Sequence, residues 1–364
     1  MYSEIIKIIE GGLKKEPSKV IQYARKLADK ALQDGNPQLA KGIRNIIDNN
    51  GITTLSMEQL ITTVPVDAET RMSIVDVFNP SDTDLEIVLP ENIERKVADF
   101  VKLIENKDKI LSLGLPLQST LLLYGLPGVG KTTIAKYISI QTKLPLVTAR
   151  LDTLVSSLLG NTSKNIRRVF EYADSKPCIL FLDEFDAIAK ARDDQHEMGE
   201  LKRVINSLLQ NIDIYVQNNI LIAATNHPEL LDKAIWRRFN NVIEVVQPGI
   251  DGVYKLLDIY TGSFNHDFVS DKRKLEKLVQ LLSQKTPSDI RTIVTNAIMQ
   301  AVIRGRDSIT ADDLLIENFQ FDRHGCFTSD ELIKYLNDNG VPQLQIADLL
   351  NMSIRQIRNN LKEN

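Results

Sequence analysis

The sequence predicts an α/β fold, a parallel sheet sandwiched by helices, with further helical segments at both ends. Three observations carry this reading. Apolar runs at 120–124, 144–148, 178–182, 220–224 and 242–246 alternate with helix-length segments, as expected of a sheet covered on both faces. A glycine-rich octapeptide, GLPGVGKT at 125–132, joins the first run to a helical stretch. Up to residue 50, and again from Asp251 to Phe319, only helical spacing is found.

Taken in order, residues 1–50 read as a helical bundle of three short amphipathic segments. In the second of them Val20, Tyr23, Ala24, Leu27 and Ala31 share one stripe. Asn36-Pro37 then supplies a cap residue followed by proline at the first helical position. Residues 51–90 lose sustained periodicity and carry Pro65, Pro80 and Pro90, the marks of a linker or an irregular segment. The sheet domain is expected over 91–250, a small helical domain over 251–320, and a separate tail over 321–364.

Composition narrows the function classes. Lys+Arg 44 against Asp+Glu 48 leaves a net charge of -4, so no chain-wide basic field draws the protein to nucleic acid or anionic membrane. The two cysteines, Cys178 and Cys326, are far apart and lack a CxxC partner, which argues against a disulfide framework or a zinc site. No apolar signal core or membrane-length run is found, so a cytoplasmic protein is expected.

The octapeptide fits GxxxxGK[ST] through Gly125, Gly130, Lys131 and Thr132, after a strand and before a helix. Glycines let successive backbone N–H groups turn inward around an anion, Lys131 adds a point charge, and the helix start adds its dipole. Gly125, Pro127, Gly128, Val129, Gly130, Lys131, Thr132 and Thr133 are therefore the expected nucleotide contacts. A glycine-proline turn with an incidental lysine would lack the metal and water groups that phosphoryl transfer also needs. The apolar run 179–182 supplies them, because it ends in Asp183 and Glu184. Thr132 and Asp183 would hold Mg2+, partly through water, and Glu184 would take a proton from the attacking water; a helix-capping role is its alternative. ATP and Mg2+ are the expected cofactors.

The stretch LIAATNHPELLDKAIWRRFNNVIEV (221–245) resembles the second region of homology of AAA ATPases, and LVSSLLGNTSKNIRRVF (154–170) resembles their pore-loop region. The resemblance spans roughly Pro90 to Ile316 and is closest to the katanin, spastin and proteasomal-ATPase clade of AAA+ proteins. Single-module bacterial ATPases are especially similar, through GELKRVINSLLQ (199–210) and ATNHPELLD (224–232). Leu126 and Val129 depart from the residues common in the loop. The resemblance implies that the sheet domain is the large ATPase domain and that 251–320 is the helical lid. It implies that Asn226 positions the attacking water and that Arg237 and Arg238 are arginine fingers. Such fingers reach the nucleotide of a neighbouring subunit, which implies a homo-oligomeric ring, a hexamer in this family. Arg291 sits where many AAA+ proteins carry a second-sensor arginine, although the katanin-like clade usually lacks it; a plain helix-surface arginine is the alternative.

The resemblance also places Leu158, Leu159 and Gly160 in the central pore loop, without the usual aromatic residue. Leucines can wedge a threaded chain by buried area but forgo the flat contact of a ring. The alternative is that both leucines pack in the core. Asn161, Thr162 and Ser163 beside them favour an exposed loop. The tail divides into three short helices with Gly340 and Asn351 at its turns and resembles a helix-turn-helix. Its last helix puts Ile354, Ile357 and Leu361 on one stripe and Arg355, Arg358, Asn359 and Lys362 on another. Over 321–364, five Lys/Arg against six Asp/Glu leave little phosphate attraction. The leading expectation is a ring that spends ATP to remodel, unfold or regulate a polypeptide partner. Bacterial ATPases of this look can stand beside a subtilisin-like protease or another effector, which extends the resemblance to a regulatory or phage-defence pairing. A DNA-associated assembly switch acting through the tail is the alternative.

Overall fold

The computed structural model describes residue 8 and residues 17–33, 37–49, 65, 73–80, 85–115, 119–151, 159–187, 198–217, 219–268 and 272–362. Two amphipathic helices, α1 (Pro17–Gln33) and α2 (Pro37–Asn49), pack on each other through Ala28, Ala31 and Ala40, which are almost fully buried. The first of the three expected N-terminal helices lies outside the described residues apart from residue 8.

The large domain is a three-layer sandwich. Its six strands are β1 (Asp76–Phe78), β2 (Thr120–Tyr124), β3 (Leu146–Arg150), β4 (Ile179–Asp183), β5 (Ile220–Thr225) and β6 (Asn241–Glu244), in the order β1-β3-β4-β5-β2-β6. All pairings are parallel except β1 with β3. The period-two geometry of a strand then sorts each apolar run onto two faces. On one face Leu121, Leu123, Ile179, Phe181 and Ile222 pack under α3 (Glu91–Glu105) and α5 (Lys131–Thr142). On the other, Leu122, Leu180, Leu182, Leu221 and Ala223 pack under α6 (Leu159–Asp174) and α7 (Met198–Tyr215). Because both faces are covered, these strands read as continuous apolar runs rather than alternating ones. A short helix, α4 (Lys107–Ser112), follows α3.

The segment read as an irregular linker thus contributes the edge strand β1. Three residues are too few to show periodicity, and that is why no strand was expected there.

A second core is formed by α9 (Ile250–Thr261), α10 (Lys272–Leu282), α11 (Pro287–Ile303) and α12 (Ala311–Asp322). This region is not all helical, as the sequence implied. β7 (Asn265–Asp267) and β8 (Ser308–Thr310) form a parallel two-stranded ribbon. Nor is the tail separate: α13 (Ser329–Asp338), α14 (Gln343–Leu350) and α15 (Ile354–Lys362) bury Ile333, Leu336, Ile346 and Ile357 in the same core as Leu314 and Phe319. Phe319 stacks edge-on to Phe327 and tilted against Tyr335, which accepts a hydrogen bond from Asn318. A buried ion pair, Lys274 with Asp312, adds Gln345 of α14 as a further acceptor.

Candidate nucleotide site

β2 lies between β5 and β6, not beside the next strand in sequence, β3. Such a change of direction in strand order opens a crevice at the carboxyl ends of the strands. The loop 125–130 fills it. Gly125, Gly128 and Gly130 adopt φ of 148, 82 and 101 degrees, backbone that L side chains rarely take. A Cβ on Gly125 would lie 2.2 Å from the Val245 carbonyl oxygen, and one on Gly128 would lie 2.8 Å from Thr286 Oγ1. Gly130 then caps α5, so the loop ends at a helix N-terminus whose N–H groups favour an anion.

Lys131 is buried and donates to the Gly125 and Leu126 carbonyls at 2.8 and 2.9 Å, and to Asn226 Oδ1 at 2.6 Å. Burial pushes its ammonium below the ordinary lysine value, and the carboxylates of Asp183 and Asp186 oppose the shift. Thr132 Oγ1 donates to Asp183 Oδ2 at 3.0 Å, and Asp183 Oδ1 accepts from the Glu184 backbone N–H at 2.9 Å. A threonine hydroxyl beside a carboxylate at the foot of a phosphate cradle is a hard oxygen set suited to Mg2+.

Glu184 takes a left-handed conformation, φ 55 degrees, at the strand end. Non-glycine residues in that region carry strain of about 1–3 kcal/mol, and such positions cluster at functional sites. Its side chain is 41% exposed and lies 3.8 Å from the Arg150 guanidinium at the end of β3. Five of the expected residues, Lys131, Thr132, Asp183, Glu184 and Asn226, therefore converge where β2, β4 and β5 end. Pro127 and Thr133 are exposed, while Val129 is buried as part of the sheet core.

The two arginines differ. Arg237 is exposed, whereas Arg238 makes two hydrogen bonds to Asp213 of α7 at 2.7 and 2.8 Å and one to the Ala234 carbonyl. Both sit at the end of α8 (Lys233–Trp236), whose first turn is capped by Asp232.

The helical domain meets the loop directly. Ser288 N–H donates to the Gly128 carbonyl at 3.2 Å, and Thr286 caps α11 through a reciprocal pair with Asp289. Between the two domains runs an apolar cleft lined by Val88, Leu89, Val129, Leu256, Tyr260 and Pro287. Arg291, exposed on α11, is close enough for its charge to oppose the upward shift that burial gives the Tyr260 phenol. Sequence reading missed this cleft, because Val88 and Leu89 fall in the presumed linker. It also missed Asp186, although the carboxylate spacing in DEFD was a signal for it.

Of the pore-loop residues, Leu158 lies outside the described residues, and Leu159 and Gly160 begin α6. The expected exposed loop over 161–163 is instead helix, and Thr162 is fully buried within it. Helical continuation buries Thr162, which the polar composition of the segment did not disclose. Among the described residues no helix is long and apolar enough to cross a membrane.

A strand-end glycine loop, its lysine and threonine, and a neighbouring acidic strand end define a P-loop nucleoside triphosphatase. Comparison with known proteins narrows the class. The family model for the ATPase family associated with various cellular activities (AAA) matches residues 121–247. An uncharacterized AAA family ATPase, y4kL of Sinorhizobium fredii, is 39% identical over 225 residues, 62% of this chain and 68% of that protein. The chain belongs to the AAA family of ATPases. It is also 34% identical over 217 residues to proteasome-activating nucleotidase 2 of Haloferax volcanii, covering 58% of this chain and 52% of that one. Over 230 residues it is 31% identical to the ATP-dependent zinc metalloprotease FtsH of Clostridium perfringens, 62% of this chain and 32% of that protein. The chain thus spans about half of the nucleotidase and a third of the metalloprotease.

Proposed function

We propose that this protein is a ring-forming ATPase that couples ATP turnover to remodelling or regulating a polypeptide partner. The observation that carries the reading is the convergence at one strand edge, where Lys131 meets Asn226 and Thr132 meets Asp183. The loop N–H groups and Lys131 bind the phosphates, and the apolar cleft takes the base. Thr132 and Asp183 would hold Mg2+, which when bound neutralises charge on the phosphate oxygens. Glu184 accepts the proton of the attacking water and Asn226 orients that water. Arg237 is the finger that reaches the nucleotide of the next subunit, and Arg238, held to Asp213, fixes the end of α8 that presents it. Arg291 supplies a lid cation beside Tyr260.

A polypeptide partner is supported by relatives whose names place them with the proteasome and with proteolysis. The tail carries balanced charge and shares the lid core, which favours a protein partner for it over a duplex.

Complementation between two inactive variants tests the reading. Glu184→Gln and Arg237→Ala chains should each lose at least about a hundredfold in turnover, the scale of losing a positioned base or finger. Mixed in equal amounts, they should regain activity, because the first lends its arginine to the intact base of the second. A mixture that forms joint rings yet stays as inactive as either variant would sink the trans arrangement. Full turnover by Glu184→Gln alone would sink the hydrolytic assignment.

A further inference from the structure

We infer that Asp186 is a positioning residue for hydrolysis, acting through Asn226; the inference rests on the water-orienting role proposed above for that asparagine. Asp186 follows Glu184 by two residues, and the left-handed turn at Glu184 throws the chain back toward β5. Two backbone bonds fix that turn: Ala187 N–H to the Glu184 carbonyl and Phe185 N–H to the Ala224 carbonyl, each 2.9 Å. Phe185 is fully buried and packs edge-on against Phe239, so the turn has little freedom to move.

The Asp186 carboxylate ends under the tip of β5, only 3% exposed. Its Oδ1 accepts from Thr225 Oγ1 at 3.0 Å and from the Asn226 backbone N–H at 3.2 Å. Thr225 Oγ1 in turn accepts from His227 N–H at 3.1 Å. One buried oxygen therefore organises the three residues at which β5 stops. Asn226 is the middle residue of the three, and its side chain reaches Lys131 at 2.6 Å.

A buried carboxylate is expensive unless hydrogen-bonded, and hydroxyl and amide donors to an ionised acceptor are the strong kind. An apolar residue could fill the same volume without that expense. What the carboxylate adds is a fixed backbone at residue 226, and a small misplacement of a positioning group can lower a rate a hundredfold. The Asp186 charge also acts on Lys131, but its hydrogen bonds fix Thr225 and the backbone of Asn226, and it is through Asn226 that its influence on turnover is inferred to run.

The test is a double-mutant cycle on the full chain, reading kcat and KM for ATP together with the affinity for a fluorescent ADP analogue. Asp186→Ala should lower kcat by at least about tenfold while KM and ADP affinity stay within about twofold. Asp186→Asn, which keeps an acceptor oxygen, should recover most of the loss. Asn226→Ala should lower kcat as well, and adding Asp186→Ala to it should cost little more, because the two act as one unit. If Asp186→Ala should fail to fold, Thr225→Val removes one donor and should give a partial fall in kcat.

Unchanged kcat in Asp186→Ala overturns the inference while leaving the role of Asn226 standing. So does a loss that adds in full to that of Asn226→Ala, or one that Asp186→Asn shares with a raised KM. Unchanged kcat in Asn226→Ala overturns the role of the asparagine itself and the inference with it.

Discussion

At the scale of single residues, Gly128 ties the phosphate loop to the lid. Its φ of 82 degrees disfavours any side chain by about 1–2 kcal/mol, and an added Cβ would press on Thr286 and Ser288 of the lid. Gly128→Ala should therefore loosen the loop-lid contact and bind ADP at least tenfold more weakly, with a reduced rise in Tm on adding ADP. Calorimetric titration with a melting series would check this; parent-like affinity would refute it. The residues of the loop were legible in the sequence because they form a spaced motif, as were Asp183 and Glu184 at the end of an apolar run. The unequal lots of Arg237 and Arg238 were not legible. Only the fold brings Asp213, on a helix 25 residues away in sequence, against one of them.

At the scale of elements, the ion pair of Lys274 and Asp312 joins α10 to α12, with side chains 10% and 5% exposed. Removing one partner strands the other charge in the core, so Lys274→Ala should lower stability by about 3–5 kcal/mol in urea unfolding. The double variant Lys274→Met/Asp312→Leu should stay within about 2 kcal/mol of the parent, since no charge is left unpaired. A single variant as stable as the parent would show that water reaches the pair. Long buried strands were readable from composition, because covering both faces of a sheet makes every position apolar. The three-residue strands β1, β7 and β8 were not, since they exist through pairing with distant partners rather than through any pattern of their own. The buried Thr162 belongs to the same class: its polarity pointed outward, and helix geometry turned it in.

At the scale of the whole molecule, the helical domain and the tail share one core. Deleting residues 321–364 would take Ile333, Leu336, Ile346 and Ile357, all fully buried, out of a core that also holds Leu314 and Phe319. Large apolar groups lost from a core cost about 2–5 kcal/mol each when truncated singly. The shortened chain should therefore lose lid helicity and ATP affinity together, as circular dichroism and nucleotide titration would show. Retained ATP affinity at unchanged Tm would mean that the tail is a dispensable appendage. The sequence signalled its three helices by turn residues, yet gave no sign of this shared core. Amphipathic stripes name a face that must be covered but not what covers it.

The bond from Ser288 to Gly128, and the cleft beside it, join the phosphate loop to the helical domain. A nucleotide bound there as proposed would touch both domains and so favour one relative placement of the two. Whatever grips the tail grips the lid. Thermodynamic reciprocity then requires that a partner whose affinity for the tail rises tenfold with nucleotide must tighten nucleotide binding by the same tenfold. Under the proposed function the tail would thus be a remote handle on the ATP site, and the strength of that handle can be measured from either site.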